Sequence, residues 1–145
     1  MKAKDFLNQL RKLDKLITNK LIEIEQWKEI ACATASQSMD TDRVQTSGAS
    51  DKIGNAVSIY TDIQAEINKT IDELIDKKKD VISVLEQLNA TEYDLMHKIY
   101  VQYLTLNEVA CISDNSYSWV TTTHGRALKN VQRILDEREK KEGKG

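Results

Sequence analysis

The sequence predicts an all-α protein, and three observations support that prediction. The 145 residues contain no proline and only five glycines, so the residues that most often break helices or form tight turns are scarce. Apolar residues recur every three or four positions over two long stretches, which is the spacing of one helix face. Three shorter stretches begin with side chains that cap helices. Together these patterns predict a long antiparallel helical hairpin followed by a three-helix unit.

The first long stretch predicts a helix from Ala3 to about Ala35. Its apolar positions step by three or four residues without a break, at Phe6, Leu10, Leu13, Ile17, Leu21, Ile24, Trp27 and Ala31. Charged and polar residues fill most of the positions between them, as on a solvated face. Such a long seam without a membrane-length apolar run requires a helical partner. We expect that partner to be the second helix of the same chain.

Residues 36–50, SQSMDTDRVQTSGAS, lose this period and predict the loop of the hairpin. The second helix is then predicted from about Asp51 to Leu88. Its apolar stripe consists of Ile53, Val57, Tyr60, Ile63, Ile67, Ile71, Leu74, Val81, Leu85 and Leu88. Two helices of matched length joined by one loop should fold back on each other, because only that arrangement closes both seams within the chain. Residues 1–88 are therefore predicted to form one hairpin domain.

A second domain is predicted at residues 89–138 and begins with a supporting helix. Asn89 to Thr91 carries a cap signal, and the apolar positions continue through Leu95 and Ile99. Past this domain, residues 139–145 lose their apolar positions, so we expect a disordered tail.

The rest of the second domain reads as a short helix, a turn and a longer helix. Thr105 and Glu108 have the T-x-x-E spacing of a capping box, which opens a helix of about two turns. Ser113 to Asn115 predict a turn without glycine, because Asn tolerates a left-handed backbone and Ser and Asp bond their own main chain. Ser116 is the N-cap candidate of the longer helix. This is the pattern of a helix-turn-helix.

The longer helix has an inward stripe at Val120, Thr123 or His124, Ala127, Val131 and Leu135. The residues left outward at its start are Tyr117, Ser118, Thr121 and Thr122. In a helix-turn-helix this end of the second helix reaches base edges in the major groove, where hydroxyls can pair with either base. These four residues are therefore the candidate base readers. Arg126, Lys129 and Arg133, at spacings of three and four, form a basic stripe that can neutralise phosphates.

Several positions between Ala90 and Leu135 carry a resemblance to a known family. They are Glu92, Leu95 and Ile99, the T-L-x-E-V-A opening from Thr105 to Ala110, Ser116 and Val120, and Arg126-Ala127-Leu128. With them the segment resembles the fourth region of the sigma-70 family, the helix-turn-helix that reads promoter minus-35 elements.

The whole chain also carries R-V-Q-x-S-G at Arg43 to Gly48. With that loop it is similar to a family of small prophage proteins of Gram-positive bacteria, whose relatives are late-gene transcription activators of the ArpU and RinA type. The resemblance implies a sigma-factor-like regulator of prophage genes that binds double-stranded DNA or RNA polymerase.

Composition and motifs narrow the function further. Charged residues make up 30% of the chain but the net charge is −2, so DNA binding must rest on the local basic stripe. His97 and His124 lack a partner at metal-ligand spacing, and no Gly-rich phosphate loop or nucleophile elbow is present. We therefore expect neither an enzyme nor a bound cofactor or metal.

The spacing of the cysteines and the lengths of the apolar runs indicate the cellular compartment of the protein. Cys32 and Cys111 lie far apart without C-x-x-C spacing, which predicts buried reduced thiols. No stretch approaches the roughly eighteen apolar residues of a membrane span, and the first ten residues do not form a signal-peptide run. We expect a cytoplasmic protein without membrane contact.

A second function class stays open at this stage. Sigma recognition helices usually place Arg, Glu or Gln among their readers, whereas this one offers Tyr, Ser, Trp and Thr. Trp119 fits a core anchor, a DNA wedge or an interface hot spot. The alternative is a non-enzymatic interaction or structural protein that forms homo-oligomers through its hairpin. DNA binding requires an exposed ridge from Tyr117 to Thr122 beside the basic stripe, whereas the alternative predicts an apolar ridge buried against another chain.

Overall fold

The structure is a computed structural model that describes residues 1–40 and 46–144. These residues form α1 (Ala3–Asp40), α2 (Thr46–Leu85), α3 (Ala90–Met96), α4 (Leu106–Ser113) and α5 (Tyr117–Lys144). A π-helical turn, His97–Val101, directly continues α3. α1 and α2 form a long antiparallel hairpin, and the later helices pack together after it. The predicted fold class is confirmed.

The hairpin helices are longer than predicted. Residues 36–40 continue α1 and residues 46–50 begin α2, so most of the predicted loop at 36–50 has a helical backbone. The segment contains Ser, Thr and one glycine but no proline, and those residues weaken a helix by less than about 1 kcal/mol each without forbidding it. Of the R-V-Q-x-S-G motif, Thr46 to Gly48 lie in α2, whereas Arg43 to Gln45 lie outside the described residues.

The packing divides the chain differently from the predicted boundary after residue 88. One unit contains Met1–Lys12 together with Leu74–Gly145, and the other contains Leu13–Glu73. The first unit shares a single main core among α1, α2, α3, the π-helical turn and α5. Its fully buried members include Leu7, Leu10, Val81, Val84, Leu85, Met96, Ala127 and Val131. The start of α1 and the end of α2 therefore belong to the same core as the C-terminal helices.

The second unit has a thinner core between its two helices. Ile24, Ile63 and Ile67 are buried there, and Ile17, Trp27, Ile59 and Tyr60 pack against them. Six of these seven residues belong to the predicted stripes, whereas the stripe positions Leu21, Val57 and Ile71 are exposed, so the sequence periodicity identified this seam in part.

The last helix extends beyond its predicted end, and the prediction of a disordered tail at residues 139–145 was wrong as far as Lys144. The segment consists mainly of Glu, Lys and Arg, which are strong helix formers. Contacts within the first unit also hold this part of α5. Arg138 forms an ion pair with Asp80 at 2.7 Å and donates to Ser83 Oγ at 3.1 Å, and the chain's α-amino group lies 3.1 Å from Glu139 Oε1.

Two further observations concern the predicted compartment. Both cysteines are exposed, not buried as predicted. Cys32 follows Ala31 of the apolar stripe, and Cys111 follows the buried Val109 by two positions, so each side chain points away from the apolar side of its helix. No helix in the described ranges has an apolar stretch sufficient to cross a membrane.

Candidate nucleic-acid interface

The helix-turn-helix is defined by two side-chain caps and a left-handed residue. The Glu108 amide donates to Thr105 Oγ1 and the Trp119 amide donates to Ser116 Oγ, both at 3.1 Å, so both predicted N-caps are confirmed. Between the helices, Asp114 has φ 55° and ψ 38° and closes α4 without a glycine. The left-handed residue is thus Asp114, not Asn115. The short polar side chain of Asp also tolerates this conformation.

A small apolar cluster holds α4 and α5 against α3. Leu95 of α3, Val109 of α4 and Val120 of α5 are buried against one another. Beside them the buried carboxylate of Glu92 accepts hydrogen bonds from Asn130 Nδ2 at 3.1 and 3.0 Å. This pair links α3 to α5 and satisfies a buried charge with a neutral amide. Sequence reasoning did not identify Asn130, because no helical pattern pairs it with Glu92, 38 positions earlier.

The four predicted base readers lie on the first turns of α5 with unequal exposure. Tyr117 is 51% exposed, Ser118 and Thr122 are also exposed, and Thr121 is half-buried. The Thr121 hydroxyl donates to the Ser118 carbonyl at 3.0 Å, so part of its hydrogen-bonding capacity is already used. Trp119 is 40% exposed and is therefore not a core anchor.

Helical spacing divides these readers between two sides of α5. Residues three or four apart share one side of a helix. One side, here called the basic flank, consists of Ser118, Thr122, Arg126, Lys129 and Arg133. The other, here called the tyrosine flank, consists of Tyr117, Thr121 and His124. The predicted ridge is therefore two neighbouring rows, and only one of them continues into the basic stripe.

The basic flank carries three positive charges along one side of α5. Arg126, Lys129 and Arg133 are all exposed. Within the described part of the chain none of them forms an ion pair. The sequence from Tyr117 to Leu135 contains no acidic residue, although Glu137 follows Arg133 by four positions and Glu92 lines the same groove as Arg126. Such a row of exposed cations beside two hydroxyls suits a polyanion better than a neutral surface.

The tyrosine flank ends in a hydrogen-bonded aromatic pair. Tyr100 Oη lies 2.8 Å from His124 Nε2, and the two rings are nearly parallel with centroids 5.8 Å apart. Burial raises the pKa of Tyr100 to about 12, against a smaller opposing effect of the nearby Arg11 charge. Burial also lowers the pKa of His124, and the positive charge of Lys4 lowers it further. Both predicted inward candidates, Thr123 and His124, thus face the protein, with Thr123 the more buried.

The described ranges contain no group of three His, Cys, Asp or Glu side chains placed to hold a metal ion. His97 Nδ1 lies 2.9 Å from the Gln102 side-chain amide in a local contact. Comparisons with protein-family models, with curated proteins and with solved structures found no match.

Proposed function

We propose that this protein is a DNA-binding transcription regulator that contacts double-stranded DNA through the N-terminal half of α5. The observation that carries the proposal is the basic flank on the second helix of a capped helix-turn-helix. In it two exposed hydroxyls lead into three exposed cations that form no ion pair with any residue the structure describes. The resemblance to sigma region four and to the prophage family supports a sigma-factor-like role in prophage gene expression. Such a regulator would act in the cytoplasm.

The physical basis of binding is charge neutralisation with modest base reading. From Arg126 to Arg133 the helix rises about 10 Å, at about 1.5 Å per residue, so the cations can reach more than one phosphate. Each neutralised phosphate releases counterions and contributes about 0.9 to the slope of log affinity against log salt. Ser118 and Thr122 offer hydroxyls that pair with several bases, whereas Arg, Asn and Gln make the selective bidentate contacts. We therefore expect strong salt dependence and limited sequence discrimination.

RNA polymerase is a second possible partner of the same region. Ile112, Tyr117 and Trp119 are large apolar or aromatic side chains exposed around the helix-turn-helix. Exposed aromatic groups are typical anchors of protein interfaces. A regulator of the sigma type could use them to contact the enzyme while the basic flank contacts DNA.

The test of DNA binding is a salt titration with a matched control. Wild type, Arg126→Ala/Lys129→Ala/Arg133→Ala and Lys77→Ala/Lys78→Ala/Lys79→Ala are titrated by fluorescence anisotropy onto duplexes from the upstream regions of the protein's own genome segment. The two triple variants lose the same charge, and the control lysines are exposed on α2. The α5 variant should lower the salt slope by about 2.7, which is three contacts at about 0.9 each, on all sequences alike. The control should leave the slope unchanged.

Single changes at the readers separate recognition from affinity. Thr122→Val should alter preference among duplexes by about 1 to 3 kcal/mol at the affected base, with little change of salt slope. Wild-type protein that shows no salt-dependent binding, or an α5 triple variant that keeps its slope, would contradict the proposal.

The second candidate function is an interaction or structural protein that self-associates through its hairpin. The second unit exposes several large apolar side chains, namely Leu16, Leu21, Ile22, Val57 and Ile71. Leu21 and Ile71 border a groove between its two helices, and Glu25 and Lys28 lie beside them. Glu25 and Lys28 already pair with each other at 3.8 Å, so a second copy would cover this groove chiefly through apolar contacts. Light scattering that gives a dimer mass, together with absent DNA binding, would move this candidate to first place.

A further inference from the structure

A second cationic cluster lies in the first unit, on the side of the helix-turn-helix where the tyrosine flank ends. A cleft of about 290 Å³ opens there between the start of α1, the π-helical turn and the helix-turn-helix. Its polar lining consists of Lys4, Asn8, Arg11, Tyr100, Thr105 and His124, and none of its lining residues is acidic. Lys4, Asn8 and Arg11 are spaced by four and three residues, so one side of α1 contributes all three.

Arg11 is held in position without a carboxylate partner. Its guanidinium donates to the Tyr103 carbonyl at 3.1 Å and lies 5.3 Å from the centre of the Tyr103 ring. Tyr103 has φ 62°, a left-handed conformation that residues other than glycine rarely adopt. Neither Arg11 nor Lys4 forms an ion pair with any residue that the structure describes. Their charges are therefore free to act on a ligand.

Lys4 and Arg11 lie at two positions along α1, and their charges act on the same pair of side chains, Tyr100 and His124. Burial is the larger cause of the pKa shifts of His124 and Tyr100, which are joined by the 2.8 Å hydrogen bond. Beside it, the Lys4 charge lowers the pKa of His124 and the Arg11 charge acts to lower that of Tyr100. The only charged groups in the cleft lining are therefore positive, and Asn8 adds a neutral amide donor. Such a combination of two cations with amide and ring N–H or O–H donors matches the oxygens of a phosphate group.

The cleft is placed to meet DNA on the flank away from the basic stripe. His124 follows Thr121 by three residues and Tyr117 by seven, so the tyrosine flank leads from the reading end of α5 to the cleft. Thr105, which also lines the cleft, is the N-cap of α4. In helix-turn-helix proteins the first helix crosses the sugar-phosphate backbone while the second lies in the groove. A backbone phosphate near the start of α4 would thus face Lys4 and Arg11.

We propose that this cleft binds a backbone phosphate of the DNA duplex, so that the duplex is gripped on both sides of α5 by cations from different parts of the chain. The proposal rests on the proposed function, since it assigns a second contact to the same DNA. Lys4 Nζ, the Arg11 guanidinium and Asn8 Nδ2 donate to the phosphate oxygens. The start of α1 is then part of the DNA-binding surface, although it lies about a hundred residues before the recognition helix in sequence.

The first experiment compares salt slopes for two charge-matched double variants on α1. Lys4→Gln/Arg11→Gln removes the two cleft cations, and Lys2→Gln/Lys12→Gln removes two neighbouring exposed lysines that do not line the cleft. The cleft variant should lower the slope by about 1.8, at about 0.9 for each lost contact, and the control should keep the wild-type slope. Circular dichroism melts establish that both variants are folded.

This design separates the two hypotheses. A contrary result is a salt slope that falls in Arg126→Ala/Lys129→Ala/Arg133→Ala and keeps its wild-type value in Lys4→Gln/Arg11→Gln. That result would overturn the proposed phosphate site in the cleft and leave the proposed function intact. Absence of any DNA binding by the wild-type protein would overturn both.

The second experiment follows the His124 imidazole by NMR. The groups that face this ring are Tyr100 on the π-helical turn and Lys4 and Arg11 on α1. A phosphate in the cleft should raise the His124 pKa when duplex DNA is added to wild-type protein, and the rise should be absent in Lys4→Gln/Arg11→Gln. An imidazole unaffected by DNA would contradict the proposal. Inorganic phosphate is the parallel arm, and a response to it without a response to DNA would assign the cleft to free phosphate instead.

Discussion

At the scale of single residues, both packing and a neighbouring charge act on the ring of His124. Its ring is half-buried, bonded to Tyr100 and close enough to Lys4 for that charge to lower its pKa. The sequence showed only that position 124 or its neighbour faces inward. The partner at position 100 lies on another helical segment, and no spacing rule connects the two.

The lowered pKa of His124 predicts that stability falls in mildly acidic solution. Because the folded protein holds this proton more weakly than the unfolded chain, whose histidine pKa is about 6.5, the unfolded state gains protons first as pH falls. The contribution of the neutral His124 ring to the free energy of unfolding is therefore fully present above about pH 6.5. It is lost as the pH falls below that value. Urea unfolding at pH 7.5 and 5.5 should show a smaller drop in free energy of unfolding for His124→Gln than for wild type.

Wild type and His124→Gln both retain the other histidine, His97, so a difference between their two drops reports on position 124 alone. Equal drops in wild type and His124→Gln would show that this ring is not a source of the acid sensitivity.

At the scale of elements, the caps of the helix-turn-helix were predictable because they are local. Thr105 and Ser116 each bond an amide three residues away, and the stretch of chain that specifies each bond is only four residues long. The end of α5 was not predictable in the same way. Its last turns lack apolar residues, and the Arg138 to Asp80 ion pair is a tertiary contact.

Two serines at the start of α5 should differ in their response to replacement by alanine. Ser116→Ala removes the N-cap of α5 and should lower the free energy of unfolding by about 1 kcal/mol. Ser118→Ala, two residues further on, removes an exposed hydroxyl and should change stability by less than about 0.5 kcal/mol. The main-chain carbonyl of residue 118 remains and still accepts the hydrogen bond from Thr121. Ser118→Ala should alter DNA preference instead. Similar destabilisation by both, measured by urea titration, would count against the capping role.

At the scale of the whole chain, the main core is assembled from its two ends. Leu7 and Leu10 of α1 are buried with Val131 and Leu135 of α5 and with the end of α2. The first turns of α1 thus stabilise the same unit that carries the helix-turn-helix. The periodicity of α1 predicted a partner but not that its first three turns have several.

This arrangement predicts that a change near the N-terminus destabilises the recognition helix. Leu7 is fully buried, so Leu7→Ala should cost about 2 to 5 kcal/mol, whereas Leu21→Ala, at a 51% exposed position, should cost little. Fluorescence of Trp119 in a Trp27→Phe background reports unfolding at α5. Its urea midpoint should fall for Leu7→Ala and stay near the parent value for Leu21→Ala. An unchanged Trp119 transition in Leu7→Ala would contradict a shared core.

The sequence by itself determined the helices, the hairpin and the candidate basic stripe of this protein. These follow from periodicity and capping, which act over three to four residues and need no knowledge of distant neighbours. The split of the readers into two flanks also follows from helical spacing once the helix start at Tyr117 is known.

Only the tertiary structure decided which distant segments meet. It joined Lys4 and Arg11 to Tyr100 and His124 around one cleft, paired Glu92 with Asn130, and included the first turns of α1 in the main core. Apolar stripes define which side of a helix is buried but not which other helix covers it, because side chains of similar volume can pack against several partners. The cationic cleft therefore became visible only when the fold brought both ends of the chain together.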